Sequence, residues 1–212
     1  MSRLQKMGIC VVGSLWLLGA CAHQAPVQTA LKSPFTPALQ TSVRTAPLLP
    51  LADETWVLVD TKAETLTVMK GNKPVETFGN IALGSSGAGI KRQRGDNKTP
   101  LGVFRIGWMN DRSRFNRFFG LDYPNLDYAE QAYREKRISE PTYYAIRSAV
   151  ENGHTPPQTT PLGGFIGIHG LGAGSPKLHA AFDWTDGCVA LDNQQIQRLA
   201  QWVQVGTRVE IR

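Results

Sequence analysis

With 212 residues, 42% of them hydrophobic and 19% charged, the chain has the composition of a globular protein and enough length for one self-sufficient core. Its formal net charge of +6 is a mild basic bias. No basic-plus-aromatic motif accompanies it, which argues against nucleic acid as a partner.

Arg3 and Lys6 lead into the apolar run from Met7 to Leu18. That run is too short for a hydrocarbon core, which needs about 20 helical residues, and has the layout of a secretory signal peptide over residues 1–20. It ends in Leu18-Gly19-Ala20-Cys21, which resembles the lipobox of bacterial lipoproteins. The resemblance implies that Cys21 is acylated and that the mature protein faces the periplasm on a lipid anchor. Ala22 then favours the outer membrane, again by resemblance to Gram-negative lipoproteins. An ordinary cleavage site with Cys21 as a spare thiol is the alternative. Arg3 and Lys6 carry two of the six net charges, which leaves +4 on the remaining chain.

Residues 21–52 are rich in Ala, Pro, Thr, Ser and Gln without a sustained hydrophobic period, the composition of a flexible tether. At no more than ~3.5 Å per residue such a tether reaches several nanometres from an anchor. A folded domain is expected over 53–212. Thr55 to Asp60 and Thr65 to Met69 bracket a Lys62-Ala63-Glu64 turn and predict a hairpin. Further strands are predicted over Val75 to Leu83, Gly102 to Trp108, Phe165 to His169, Cys188 to Leu191 and Thr207 to Arg212. The polar and aromatic stretch from Asp111 to Val150 offers one helix, Tyr128 to Lys136. A second helix is predicted from an Asn193 N-cap to about Gln204, with Ile196, Leu199, Ala200 and Val203 on its inner face.

Three cysteines are present. With Cys10 inside the signal and Cys21 lipidated, Cys188 has no disulfide partner, and a lone thiol in an exported chain is a candidate reactive group. A thiol nucleophile needs a base, since an unperturbed cysteine is only a few per cent thiolate at pH 7. His23 falls in the tether and His154 in the Pro/Thr-rich loop. That leaves His169, at a strand end, and His179, in a loop; the strand end is the more rigid perch. A lone cysteine is more often a small core hydrophobe, so the pairing is weak on composition alone. A zinc site is a poor fit, because paired-ligand spacing is missing.

Spacing sharpens the assignment. Fifteen residues separate His169 from Thr185-Asp186-Gly187-Cys188, and the arrangement resembles the signature of the L,D-transpeptidase catalytic domain, YkuD. Upstream, Gly84 and then Gly95-Asp96-Asn97-Lys98-Thr99-Pro100-Leu101-Gly102-Val103-Phe104 resemble the family's Gly-Asp…Thr-Pro segment, so the likeness extends from Thr55 to Arg212. It implies a mostly β domain, a sandwich or closed sheet with a few helices, acting on peptidoglycan stem peptides without metal or organic cofactor. Cys188 is then the nucleophile, His169 the base, and Gly170 the residue whose carbonyl orients the imidazole. Thr185, Asp186 and Gly187 supply the oxyanion and substrate-binding turn.

The family commonly has His or Arg where this chain has Asp186, and a carboxylate there would raise the thiol's pKa if it pointed inward. Arg94 and Arg114, from the basic runs at 91–94 and 112–114, are candidate grips for substrate carboxylates, although such runs equally suit a solvated face. Trp184, next to the motif, can floor the cleft or seal the core, and the core is the expectation. Acyl transfer to an amine is the leading expectation. A hydrolytic relative, an L,D-carboxypeptidase or amidase, is the alternative, and an inactive wall-binding lipoprotein a third reading.

Overall fold

The computed structural model describes residues 50–212. The expected signal segment, Cys10, Cys21, His23 and nearly all of the expected tether lie outside the described residues. No helix among the described residues is long and apolar enough to cross a membrane.

The elements in chain order are β1 (Thr55–Asp60), β2 (Thr65–Lys70), β3 (Lys73–Gly79), β4 (Ala88–Gly89), β5 (Thr99–Pro100), β6 (Gly102–Ser113) and β7 (Asn116–Leu121). Helices α1 (Leu126–Arg134) and α2 (Glu140–Glu151) follow, then β8 (Gly167–His169), α3 (Pro176–Ala181), β9 (Val189–Ala190), α4 (Asn193–Leu199) and β10 (Arg208–Ile211). The expectation of a mostly β domain holds. Eight strands hydrogen-bond in the mixed order β3-β2-β1-β10-β6-β7-β8-β9, and β4 with β5 forms a separate short pair.

The predicted hairpin forms in register from Thr55 opposite Lys70 to Asp60 opposite Thr65. Alternation drives it: Val57, Val59, Leu66 and Val68 are fully buried, and such β-branched and apolar residues fit one face of a pleated sheet. β6 is longer than its sequence suggests. Its first half pairs with β10 and its second with β7, and the register shifts between Ile106 and Trp108, where the sheet turns. The chain leaving β3 then pairs with the far edge strand: Ala82 and Ala190 exchange N–H···O bonds of 3.0 and 2.8 Å. The ends of the strand order are thereby linked.

Val75 to Leu83 is not one strand, because β3 ends at Gly79 and Asn80 adopts a positive φ of 55°. α4 is shorter than predicted and starts one residue earlier. Asp192, not Asn193, is its N-cap, in a capping box with Gln195. The helix ends at Leu199, and Val203 is buried from the turn beyond it. The sequence gives no warning of α2 or α3. α2 is nevertheless capped by Ser139, and its one buried residue, Ile146, joins Ala129, Ala132, Ile138 and Leu162 in a small cluster between α1 and α2.

The main core runs through the curled sheet and α4, with Phe104, Phe119, Leu121, Ile168, Val189 and Leu191 all buried. It is this core that fixes β8 and β9. Phe119 is fully buried and pairs with Ile168 across β7 and β8. Phe119→Ala is expected to destabilise the protein by about 3–5 kcal/mol, read as a lower urea midpoint at unchanged slope.

Candidate active site

β8 and β9 run parallel, with Ile168 opposite Val189 and His169 opposite Ala190. Ile168 and Val189 point into the core. Because strand side chains alternate, His169 and Cys188, each one residue removed, project from the other face. Both line a cleft of about 730 Å³. The structure therefore brings together the two residues singled out for chemistry.

Cys188 ends a tight turn whose geometry is dictated by Thr185. Thr185 is buried, and its hydroxyl donates to the Cys188 carbonyl at 2.7 Å while accepting the Gly187 N–H at 3.1 Å. Gly187 sits at φ 128°, and a Cβ there would come within 2.6 Å of the Lys98 carbonyl, so no other residue fits. The Gly187 N–H is thus committed inside the turn, which leaves those of Asp186 and Cys188 as candidate oxyanion donors. Thr185 holds the turn's shape, while Asp186 is exposed at the cleft.

The upstream motif acts from beneath. Asp96 gathers the N–H groups of Arg92, Gln93 and Lys98 at 2.7, 3.3 and 3.2 Å and receives the Lys91 ammonium at 2.5 Å. Burial alone would raise this carboxyl's pKa, but the Lys91 ammonium and the backbone donors outweigh it and hold the group below its ordinary value. On this folded loop the Thr99 hydroxyl accepts the Gly84 N–H at 2.8 Å and reaches the Cys188 carbonyl at 3.4 Å.

His169 Nδ1 lies 2.7 Å from the Gly170 carbonyl. A carbonyl only accepts, so the proton is assigned to Nδ1 and Nε2 is left as the basic nitrogen. A Cβ at Gly170 would approach the Phe115 carbonyl to 2.7 Å and Ile196 to 2.8 Å. Asn193 clamps the following loop at both ends of its amide, accepting from Gly172 N at 2.9 Å and donating to Gly172 O at 2.7 Å. Phe118 stacks on the imidazole with centroids 5.8 Å apart and planes 6° apart, and Phe115 lies at 4.2 Å. Arg114 places its guanidinium 4.7 Å from the Phe115 centroid at the cleft wall.

Trp184 departs from expectation. It is 36% exposed, lines the cleft and meets the His169 ring edge-on at 5.7 Å. Its indole N–H donates to Nδ1 of buried His179 at 3.3 Å. His179 thus holds the wall of the cleft.

Phe165, Trp108 and Phe118 also line the cleft and were not foreseen as site residues; only the aromatic density of 115–119 hinted at them. Arg94 falls in an adjoining cleft of about 440 Å³, which shares Gly164, Phe165, Ile166 and Asp186 with the first. Its guanidinium donates to the Thr160 carbonyl at 3.1 Å. Arg92, from the same basic run, pairs with Glu135 at 2.9 Å away from both clefts.

Electrostatics favour a neutral pair. Burial pushes the Cys188 thiol up to about 11, the Asp186 charge adds to the rise, and Gly167 and Lys91 oppose it. Burial also lowers His169, the Gly170 carbonyl works against this, and the charges of His179 and Arg114 reinforce it. Thiol and imidazole are then both uncharged at neutral pH.

These features define a class: a mostly β domain with a cysteine–histidine pair on adjacent strands of one cleft. The sequence profile of the YkuD family, described as the L,D-transpeptidase catalytic domain, matches residues 54–211, and the chain belongs to this family. No curated protein matches it in sequence. Among solved structures it is similar to the helical cell shape determining protein Pgp2 from Campylobacter jejuni. That match has 24% identity and a TM-score of 0.50, covering 77% of this chain and 49% of that one. Bd1075 from Bdellovibrio bacteriovorus matches at 18% identity and TM-score 0.49, covering 77% and 51%. An L,D-transpeptidase from Xylanimonas cellulosilytica matches at 15% and 0.45, covering 76% and 62%. The chain spans about half the length of the first two.

Iodoacetamide alkylation of Cys188, followed by mass spectrometry, is expected to accelerate with pH and to reach half its maximal rate only near pH 11. An inflection near 7 would show a resting thiolate–imidazolium pair instead.

Proposed function

We propose that this protein is an L,D-transpeptidase of peptidoglycan, with Cys188 as nucleophile and His169 as its general base and acid. The observation that carries the reading is the parallel register of β8 and β9, which turns both side chains into one cleft with His169 Nδ1 held by Gly170. Nε2 accepts the thiol proton as Sγ attacks the carbonyl of the L-centre residue at stem position three. The carbonyl oxygen becomes an oxyanion, for which the Asp186 and Cys188 N–H groups are the proposed donors. As the tetrahedral centre collapses, the imidazolium hands its proton to the departing D-alanine amine, and a thioester remains on Cys188. An acceptor amine then attacks the thioester carbonyl, and the C–S bond breaks.

In this reading Trp108, Phe118 and Trp184 bound the donor side of the cleft, and Arg114 is the proposed grip for a stem carboxylate. We further propose that acylated Cys21 anchors the protein to the outer membrane facing the periplasm, with residues 21–52 as tether to a domain over 53–212.

The test uses a tetrapeptide stem ending in D-alanine, with and without an amine acceptor, and product analysis by mass spectrometry. Cross-linked product that disappears in Cys188→Ala supports the proposal. Release of D-alanine without a cross-link at any acceptor concentration would make the protein a hydrolase. His169→Ala is expected to lower kcat by about 10²- to 10⁴-fold. Since His169 lies below its ordinary 6.5, it stays neutral and competent at pH 7 and loses that competence as acid protonates it. The acid limb of kcat/KM should therefore have its inflection below 6.5.

A further inference from the structure

The second cleft differs in chemistry from the first. The Cys188 side has the aromatics Trp108, Phe118 and Trp184 beside Arg112 and Arg114, whereas the adjoining cleft has no tryptophan and carries Lys91, Arg94, Asn97, Gln158 and Thr159. Phe165 stands between them. Its carbonyl is 3.5 Å from Cys188 Sγ, and its ring meets Trp108 edge-on at 6.4 Å. Cys188 lines the first cleft, and the second adjoins it along Gly164, Phe165, Ile166 and Asp186.

Asp186 is the one charged residue that lines both clefts. Its side chain is exposed, and among the described residues its carboxylate has no hydrogen bond and no ion pair. The neighbouring acid shows the contrast: Asp96 is tied to Lys91 and three backbone N–H groups. The free carboxylate also has a cost, because its charge helps to hold the thiol protonated. A group that disfavours the first half-reaction, and that no structural partner requires, needs a role in the second.

We propose that Asp186 selects the acceptor, binding the ammonium of an amine that enters through the second cleft, and that the preferred acceptor carries its own carboxylate, which Arg94 meets. The inference rests on the acyl-transfer reading above. The acceptor arrives as R–NH3+ and is concentrated beside the thioester by the carboxylate. One proton leaves to water, and the freed lone pair forms the C–N bond to the thioester carbonyl. The C–S bond breaks, and a second nitrogen proton passes through His169 to Sγ. The amide keeps the third proton, and the thiol is regenerated. A carboxylate that holds the ammonium also disfavours its deprotonation, so Asp186 acts by raising acceptor occupancy rather than by increasing nucleophilicity.

The test measures amide formation against hydrolysis on the full chain, with the tetrapeptide donor and either glycine or glycinamide as acceptor. Asp186→Asn should raise the acceptor KM about fivefold for both amines, the scale of a partly exposed ion pair, while the rate at saturating acceptor changes less. Asp186→Glu should restore the wild-type KM. Arg94→Gln should raise KM for glycine and not for glycinamide. Because removing the charge eases thiol ionisation, Asp186→Asn should also be alkylated by iodoacetamide faster than wild type at pH 8. An unchanged urea midpoint separates this from misfolding, since an unfolded chain would also expose Cys188 and react faster. If wild type forms amide and Asp186→Asn shows an unchanged acceptor KM, the proposal is wrong while the Cys188 chemistry stands. If wild type releases D-alanine but forms no amide with either amine, acceptor selection is wrong and the enzyme is a hydrolase. If wild type yields no Cys188-dependent product, both readings fail.

Discussion

The parallel pairing of β8 with β9 is the constraint from which the rest of the site follows. Two parallel neighbours cannot be joined by a tight turn; the chain must leave one strand and return to start the next at the same end, which takes a dozen residues or more. The residues between His169 and Val189 make this crossover and contain α3. The interval that looks like a sequence signature is thus the length of a connection, with His169 at the end of one strand and Cys188 just before the next. Core residues Ile168 and Val189 lock the register. A slip by one residue would turn Cys188 or His169 into the core.

Around that pairing, most motif residues serve the backbone rather than the substrate. Thr185 and Thr99 both direct hydroxyls to the Cys188 carbonyl, and Asp96 organises the loop carrying Thr99. Hydrogen bonds of this kind contribute only about 1 kcal/mol each, but together they restrict the backbone that carries the thiol. The same enclosure removes solvent from the sulfur and imidazole and keeps both neutral. Placement and protonation state therefore have one cause.

Much of this was legible because strand alternation and turn residues are local signals. The β1–β2 hairpin follows from residues 55–69 alone, and His169 could be preferred over His179 because an apolar run leads up to it. What was hidden depends on distant contacts. Trp184 reads as a core residue in sequence, and only its bond to His179 and the edge of His169 turn it into a wall of the cleft. The helices α2 and α3 bury few apolar residues of their own, so no periodicity announces them. Thr185 was readable as part of a turn, but its commitment to Gly187 N–H and Cys188 O is a matter of coordinates. The second cleft is assembled from segments near 94, 158 and 164, which nothing local links.

Phe165 gathers these strands of argument. It holds φ 54°, a region that costs a non-glycine residue energy and that persists only where the surroundings over-determine it. Here they do. The Gln158 side-chain oxygen accepts its N–H at 2.7 Å, and Trp108 meets its ring. Glycine would relieve the backbone yet remove the ring that lines both clefts. A 56% exposed phenylalanine in a strained conformation is poor design for stability alone. Its place is the seam where the two clefts adjoin, with its carbonyl 3.5 Å from the Cys188 sulfur.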